Sequence, residues 1–245
     1  RKGVQMALAN LGHDPGPADG QFGPRTRGAI SAAREALDLP PGEHIDLALL
    51  NRLPDIEKLK ALQSEKARRY SLSDLPENAD PRLRKAVEAL SNHDIRFDYF
   101  RGHLYIAVLT GRRDWAYSKR LAERAGGHLV SITSSAENSF VYKLFSSDDR
   151  FVSMAWGDGQ KVGPYIGLYQ NDRSQEPRGG WVWVTGEPVT YRNWSRGQPN
   201  NFGDQGHYGI FHSFGELDRK SEQRVIRWDD SGYNSGSNGF IMEIE

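Results

Sequence analysis

Apolar side chains recur at helical spacing in the first part of the chain. Over residues 2–11 they fall three or four positions apart, on one face of a helix that Gly12 ends. The same periodicity predicts a second helix over residues 24–37 and a third that begins after Asp46 as its cap and uses the leucines of residues 47–53. Three helices in about 50 residues need close packing to be stable.

A further helical stretch is predicted in residues 55–96. Residues 55–70 have the pattern of an amphipathic helix, and Asp80 followed by Pro81 has the form of a cap and a first-turn proline, opening a helix that reaches Leu90. The charges are of mixed sign, which favours a solvated helical spacer packed against a neighbour. A helix that binds a specific partner is the alternative.

The pattern changes to that of strands and turns near residue 96. Of the 26 aromatic residues, 24 lie from Phe97 onward, together with 19 of the 26 glycines. Strands are predicted over residues 103–109, 128–133, 165–168, 180–184, 208–211, 225–228 and 240–244, and helices over 114–125 and from Ser134 or Ser135 to 145. Long polar loops separate the later strands, and such loops are usually functional or disordered.

The predicted fold class is therefore multidomain, α followed by α+β. We place a small three-helix bundle in residues 1–54, a helical linker in 55–96 and an α+β domain with a long loop region in 97–245.

Charge and composition exclude several classes of function. The 32 basic and 32 acidic residues balance, which argues against nucleic acid as a partner. The chain has no cysteine, which excludes disulfides, thiolate zinc sites and a cysteine nucleophile. Its apolar runs are far shorter than the roughly 20 residues of a membrane span. It begins at Arg1 without a leader-like segment, so we expect a processed piece whose export signal lies outside it.

Residues 3–54 resemble the small three-helix peptidoglycan-binding domain that is attached to many bacterial wall hydrolases. The resemblance rests on the motif of residues 19–24, Asp-Gly-Gln-Phe-Gly-Pro, followed by Thr26, and on the flanking leucines. It implies wall binding outside the cytoplasm through Asp19, Phe22, Arg25 and Thr26. Independently of the family, the glycines permit unusual backbone angles and Asp19 and Thr26 can hydrogen-bond into the turn, so these residues are also required by the fold.

Residues 97–245 resemble a C-type lectin-like domain over nearly their full length. The matching pieces follow the family order: Trp115, residues 126–132, Glu137-Asn138, residues 165–168, 180–183, 191–194, 198–201, 228–230 and 240–243. The positions of the family's two disulfides fall on Ala122 with Met242 and on Tyr208 with Tyr233. We expect each pair to be in van der Waals contact, since packing must replace the cross-links.

The resemblance also implies a Ca²⁺ ion in the long loop that takes two sugar hydroxyls as ligands. By position, Gln198 and Asn200 would supply amide oxygens across a Pro199 that the family often holds in the cis form, and Asp229 and Asp230 would supply carboxylates. The family's further acid falls near Gly206, for which Asp204 is the nearest substitute.

Two alternatives concern the metal. A second ion would need acids around residues 171–176, where the match is poor, and the other reading is a metal-free loop whose aspartates bind backbone N–H groups. The amide pair does not indicate one sugar, and Trp194 and Phe202 are the aromatic residues nearest in sequence for stacking on a sugar ring.

Catalysis is not expected. The seven histidines are scattered without a zinc-binding pair or a nucleophile elbow. Adjacent carboxylates on a strand point to opposite faces, which suits ligation or capping better than attack on a glycosidic bond. Three hypotheses remain: a bacterial cell-envelope protein that binds peptidoglycan and, through Ca²⁺ at the loop, a glycan or cell-surface polysaccharide; a calcium-independent domain for protein ligands; and the targeting portion of a wall-acting enzyme.

Overall fold

The N-terminal segment folds as a bundle of three helices. The computed structural model describes residues 1–37, 39–53, 66–155, 160–213, 227–232 and 236–245. The helices are α1 (Lys2–Asn10), α2 (Pro24–Ala36) and α3 (Leu47–Leu50), and Asp46 caps α3 by accepting the Leu49 N–H. Their shared core consists of Ala7, Leu8, Ala29, Ile30, Ala33, Leu49 and Leu53. All three predicted helices are present, with α3 reduced to a single turn.

A mixed sheet forms the framework of the remaining chain. Its strands in the described ranges are β1 (Asp94–Phe100), β2 (His103–Arg113), β3 (His128–Leu129), β4 (Ser153–Ala155), β5 (Gln160–Gln170), β6 (Trp181–Trp183), β7 (Tyr208–Ser213), β8 (Arg227–Ser231) and β9 (Ser237–Ile244). The order is β1-β2-β9-β5-β7-β8, with β3 beside β9 and with β4 and β6 beside β5. Strands β5 and β9 pair in parallel, and the other pairings are antiparallel.

Both faces of this sheet are covered by apolar side chains. Neighbouring residues of a strand point to opposite faces, so Ile106 of β2 enters one cluster while Tyr105 and Ala107 enter the other. Helices α4 (Pro81–Ala89) and α5 (Trp115–Arg124) pack in the first cluster. Helix α6 (Ser135–Phe145) and most of the tryptophans pack in the second. The arrangement confirms the predicted α+β class.

Strand β1 is the main element that the sequence analysis missed. Ile95 and Phe97 are buried and alternate with the charged residues Asp94, Arg96 and Asp98, which is the pattern of a half-buried strand. The helix predicted over residues 55–70 is wrong at its end, because Arg68 pairs with Ile95 in an antiparallel bridge and residues 66–70 are not helical. Residues 55–65 of that helix, and 225–226 of a predicted strand, lie outside the described residues.

The segment predicted as a linker contributes to the first cluster. Tyr70, Leu83 and Val87 are buried there together with residues of the sheet. Arg82 pairs with the buried Asp80 at 2.7 Å and donates to the Gly102 carbonyl at 3.0 Å. A Cβ on Gly102 would lie 3.0 Å from the Gly12 carbonyl oxygen, so the bundle and the sheet are in contact there. The division at residues 54 and 96 stays a prediction.

Apolar packing occupies the first pair of predicted disulfide positions. Ala122 of α5 and Met242 of β9 are fully buried in the same cluster, and their direct contact stays a prediction. Tyr208 stacks on Trp115 with ring centroids 4.8 Å apart, while its expected partner Tyr233 lies outside the described residues. None of the helices that the structure describes has the length and apolar character needed to cross a membrane.

Candidate functional site

The loop of residues 198–206 is fastened to the end of β8 by one aspartate. The carboxylate of Asp230 accepts the backbone N–H of Asn200 at 2.9 Å and that of Asn201 at 2.6 Å. Asn201 has a left-handed backbone (φ 47°), which asparagine tolerates, and its side chain accepts the Gly206 N–H at 2.9 Å. The Gln198–Pro199 bond is cis, as the resemblance implies. We call residues 198–206 together with Asp230 the rim.

The space available at residue 206 of the rim explains why this position is a glycine. A Cβ at this position would lie 2.1 Å from Asp230 Oδ2, much closer than any real contact. An acidic side chain at residue 206 is therefore incompatible with the present position of the Asp230 carboxylate. The absence of an acidic side chain at residue 206 therefore leaves the space in which the Asp230 carboxylate accepts its hydrogen bonds.

Asp229 faces a different group from its neighbour. Its Oδ2 atom lies 3.7 Å from His212 Nε2, and His212 Nδ1 lies 3.1 Å from the Ser195 hydroxyl. Burial, and then the charge of Asp230, raise the pKa of Asp229 to about 7. The expectation that the two carboxylates point to opposite faces stays a prediction, because the Asp230 side chain lies close enough to act on the pKa of Asp229.

The line from Ser195 through His212 to Asp229 has the residue types of a nucleophile, a base and an orienting acid. Ser195 is 3% exposed and the His212 side chain is fully buried. A substrate cannot reach the Ser195 hydroxyl in this arrangement, because a nucleophile must be within contact distance of the reacting carbon. The three residues serve to hold the loop segment around Ser195 against β7 and β8.

The side chains predicted to bind Ca²⁺ are mostly engaged elsewhere. Both oxygens of Asp230 accept loop amides, Asn200 Oδ1 accepts the Phe202 N–H at 3.0 Å, and Asp229 faces His212. Asp204 is exposed with a left-handed backbone (φ 56°). Gln198 Oε1 is buried and has no hydrogen-bond partner among the described residues. Within the same ranges no three His, Asp or Glu side chains are grouped to hold a metal.

This donor set does not fit Ca²⁺ as it is arranged. The ion needs six to eight oxygen ligands, and the Gln198 amide oxygen together with the exposed Asp204 carboxylate is far from that number. Residues 171–176, where the sequence match for a second ion is poor, are used structurally, because Asp172 accepts the Ser174 N–H at 3.0 Å and caps a short turn. Glu176 Oε1 lies 3.2 Å from His207 Nδ1, and both Glu176 oxygens are buried without hydrogen-bond geometry to a described residue.

Of the two aromatic residues predicted for sugar stacking, Phe202 is the accessible one. Phe202 is 75% exposed. Trp194 is half-buried and packs on Trp181 and Trp228, with ring centroids 4.8 and 6.1 Å away. Phe202 therefore exposes its aromatic ring to solvent, where a sugar ring can stack, whereas Trp194 packs in the apolar cluster next to the loop.

In the N-terminal bundle, Gln5 organises the turn that carries the predicted wall-binding residues. Its amide nitrogen lies 2.9 Å from the carbonyl oxygens of Pro17 and Gln21, and its oxygen accepts the Gly20 N–H at 2.8 Å. The sequence analysis did not assign this role to Gln5. A polar residue on the apolar face of α1 was the available signal, since such a group must be paired when buried.

The four predicted wall-binding residues differ in their exposure to solvent. Thr26 is 2% exposed and donates its hydroxyl to the Pro15 carbonyl at 2.7 Å, so the structure leaves it no surface for a ligand. Asp19 and Arg25 are exposed, and Arg25 pairs with Asp14. Phe22 is half-buried, with the Arg1 guanidinium 5.7 Å from its ring centre.

Comparison with known proteins finds two family matches along the chain. The family model of the C-type lectin domain matches residues 112–228, and that of a peptidoglycan binding domain matches residues 1–43. The chain is 32% identical over 147 residues to mouse Regenerating islet-derived protein 3-alpha, covering 60% of this chain and 73% of that protein.

Two further proteins are similar to part of the chain. The CD209 antigen of Symphalangus syndactylus is 34% identical over 110 residues, or 44% of this chain and 24% of the antigen. The chain thus spans about a quarter of that relative. The crystal structure of the C-type lectin CEL-I from Cucumaria echinata is similar with a TM-score of 0.45 and 21% identity, over 60% of this chain and 93% of that one. By the two family models and the mouse relative, the chain belongs to the C-type lectin domain family and carries a peptidoglycan-binding domain at its N-terminus.

Proposed function

We propose that the protein is a non-catalytic, carbohydrate-binding protein of the bacterial cell envelope. In this proposal the N-terminal bundle docks on peptidoglycan, and the lectin domain binds a second glycan at the rim. Support comes from the two matched domains, both of which indicate carbohydrate ligands. A peptidoglycan ligand would place the chain outside the cytoplasm.

The observation that carries the proposal is the exposed Phe202 on a fixed loop that also holds side-chain amides. Sugar rings present apolar C–H faces and hydroxyl groups, so an aromatic face beside amide donors and acceptors matches their chemistry. Asp230 holds the loop through two amides, which reduces the entropy lost on binding. The buried Gln198 Oε1, which lacks a partner in the described ranges, leaves one acceptor at the base of the loop.

Calcium is not required in this proposal. Of the residues that would bind the ion, Asn200 and Asp230 already accept loop N–H groups and Asp229 faces His212. The recognition would then depend on stacking and hydrogen bonds, as in an ordinary polar pocket. The proposal assigns no catalytic role to Ser195, because this residue is buried.

A glycan array probed with the full chain tests the lectin site. We expect the same glycans to be bound in millimolar calcium and in excess chelator, and Phe202→Ala to abolish binding. The matched control is Leu47→Ala, which removes an equally exposed apolar side chain (75%) in α3. Binding that requires calcium would return Gln198, Asn200, Asp204, Asp229 and Asp230 to the role of ligands. Failure to bind any glycan, with capture of a protein that Phe202→Ala abolishes, would favour a protein-interaction domain.

Cosedimentation with insoluble peptidoglycan tests the bundle. We expect the chain to pellet with the polymer, and Phe22→Ala and Arg25→Gln each to reduce the bound fraction. Arg120→Gln is the control for charge, since Arg120 is exposed on α5 and lies outside the bundle. Equal cosedimentation of all variants would place wall binding, if observed, on another surface.

A further inference from the structure

An open cleft of about 590 Å³ lies on the lectin domain at the edge formed by the start of β1 and the end of β2. Its wall is rich in cationic and amide groups and includes Arg69, Arg113, Arg150, Asn92, Asn238 and Tyr117. The volume falls within the range of sites that hold small ligands. None of the rim residues lines this cleft.

The cationic groups of the cleft exceed its carboxylates. Asp94 is the acidic residue of the wall, and it is shared by two arginines: Arg150 Nη1 at 2.8 Å and Arg69 Nε at 3.6 Å. The Arg113 guanidinium lies 5.3 Å from the centre of the Tyr117 ring, and it forms no salt bridge with a described residue. Arg113 thus lines the cleft with its charge, and a cation–π contact with Tyr117 positions the guanidinium.

His93 reports the same excess of positive charge. Burial lowers its pKa, and the charges of Arg69, Arg124 and Arg113 lower it further. The imidazole is therefore neutral near pH 7 and adds no charge. Its Nδ1 atom is buried and lacks a hydrogen-bond partner in the part of the chain that is described, so the wall contains an unsatisfied polar atom beside the arginines.

We infer that this cleft is a second ligand site, which binds an anionic sugar unit. The acidic group, a carboxylate or a phosphate, pairs with the guanidinium of Arg113 and with the outer edge of Arg69. The sugar hydroxyls bond to Asn92, Asn238 and the Tyr117 hydroxyl. Arginine suits such groups because its planar fork donates two parallel hydrogen bonds to one anion. The site uses no residue of the rim and does not depend on the function proposed there.

Titration calorimetry on the full chain tests the inference with three probes: methyl β-glucuronide, glucose 6-phosphate and the neutral methyl β-glucoside. We expect at least one anionic probe to bind and the neutral glucoside not to bind. Arg113→Gln should weaken that binding about tenfold, the loss expected for one charge-assisted contact. The anion that binds better distinguishes a uronic acid from a sugar phosphate as the natural unit. Salt should weaken binding as well, because the charges are exposed.

Arg112→Gln is the matched control. It removes the same charge one residue away on β2, and Arg112 is not among the residues that line the cleft. Unchanged binding by this variant, with thermal midpoints equal for both, supports a defined site. Equal weakening by both variants, binding of the neutral glucoside as strong as that of the anions, or no binding of either anion at millimolar concentration would each overturn the inference. If Arg113→Gln lowers the midpoint, Arg69→Gln replaces it and should weaken the same probe. Loss of rim function in Asp230→Asn should leave the binding of the anionic probe intact.

Discussion

Replacing Asp230 by asparagine should release the rim from β8. The carboxylate accepts two backbone N–H groups, at 2.9 and 2.6 Å, and hydrogen bonds to a charged acceptor contribute about 1.5–3 kcal/mol each. Asparagine keeps one acceptor oxygen but turns an NH₂ group toward the second amide. Because Asp230 is half-buried, solvent reduces both contributions. We therefore expect the free energy of unfolding to fall by about 2 kcal/mol.

Urea denaturation and amide hydrogen exchange measure the two consequences. The midpoint of unfolding should fall with an unchanged slope, and the Asn201 amide should exchange at least about tenfold faster, as a loss of about 1.4 kcal/mol implies. The control is Asp229→Asn, which changes the same charge on the next residue. Asp229 accepts no loop amide, and its raised pKa shows that the folded state already disfavours its charge, so this variant should be as stable as the original or more so. Protection of the Asn200 and Asn201 amides that survives in Asp230→Asn would refute the reasoning.

The remaining predictions concern the buried polar groups elsewhere in the fold. Tyr105→Phe should lower the free energy of unfolding by about 2–3 kcal/mol in urea denaturation. The Tyr105 hydroxyl lies 2.8 Å from Glu137 and 3.0 Å from Glu243, so its loss leaves two buried carboxylates without this donor. A decrease of less than about 0.5 kcal/mol would contradict this reasoning. His103 is held 2.6 Å from Glu243, and this hydrogen bond raises its pKa, so its stabilisation is full below about pH 6.5 and is lost as the pH rises through the raised value. His103→Gln should then differ from the original chain more at pH about 5.5 than at about 8.5 in thermal unfolding, and an equal difference at both would argue against the pairing. Gln5→Met should lower the thermal midpoint and expose the turn of residues 15–21 to proteolysis, whereas Gln21→Met, at an exposed position, should do neither.

Much of the fold could be predicted because its signals are local. The periodicity of residues 2–11 and the Asp46 cap were sufficient for α1 and α3. Strand β1 was missed although its alternation was present in the sequence, since its charged residues resemble a linker until the neighbouring strand is known. The bridge between Arg68 and Ile95 joins positions far apart in sequence, which no local pattern indicates.

The candidate site was predictable in its location but not in its chemistry. The sequence placed Gln198, Asn200, Asp229 and Asp230 together, and the structure brings Asn200 and Asp230 into contact. Residue types alone give no information on whether an oxygen accepts a loop amide or remains available for an ion. The sequence analysis also missed the cleft around Arg113, because the arginines of the cleft come from separate parts of the chain. The excess of arginine over carboxylate charge in the cleft appears only when the salt bridges of Asp94 are known.

The close approach of Gly206 to Asp230 constrains how this domain could be redesigned or could diverge. Grafting an acidic residue at position 206 to create a metal-dependent lectin would first displace the anchor of the loop, since even a β-carbon there would overlap the carboxylate. Such a variant would have to move the Asp230 carboxylate, which holds the Asn200 and Asn201 amides, before an ion could bind. A conversion would have to change residues 206 and 230 together. It would also have to supply another acceptor for the backbone N–H groups of Asn200 and Asn201.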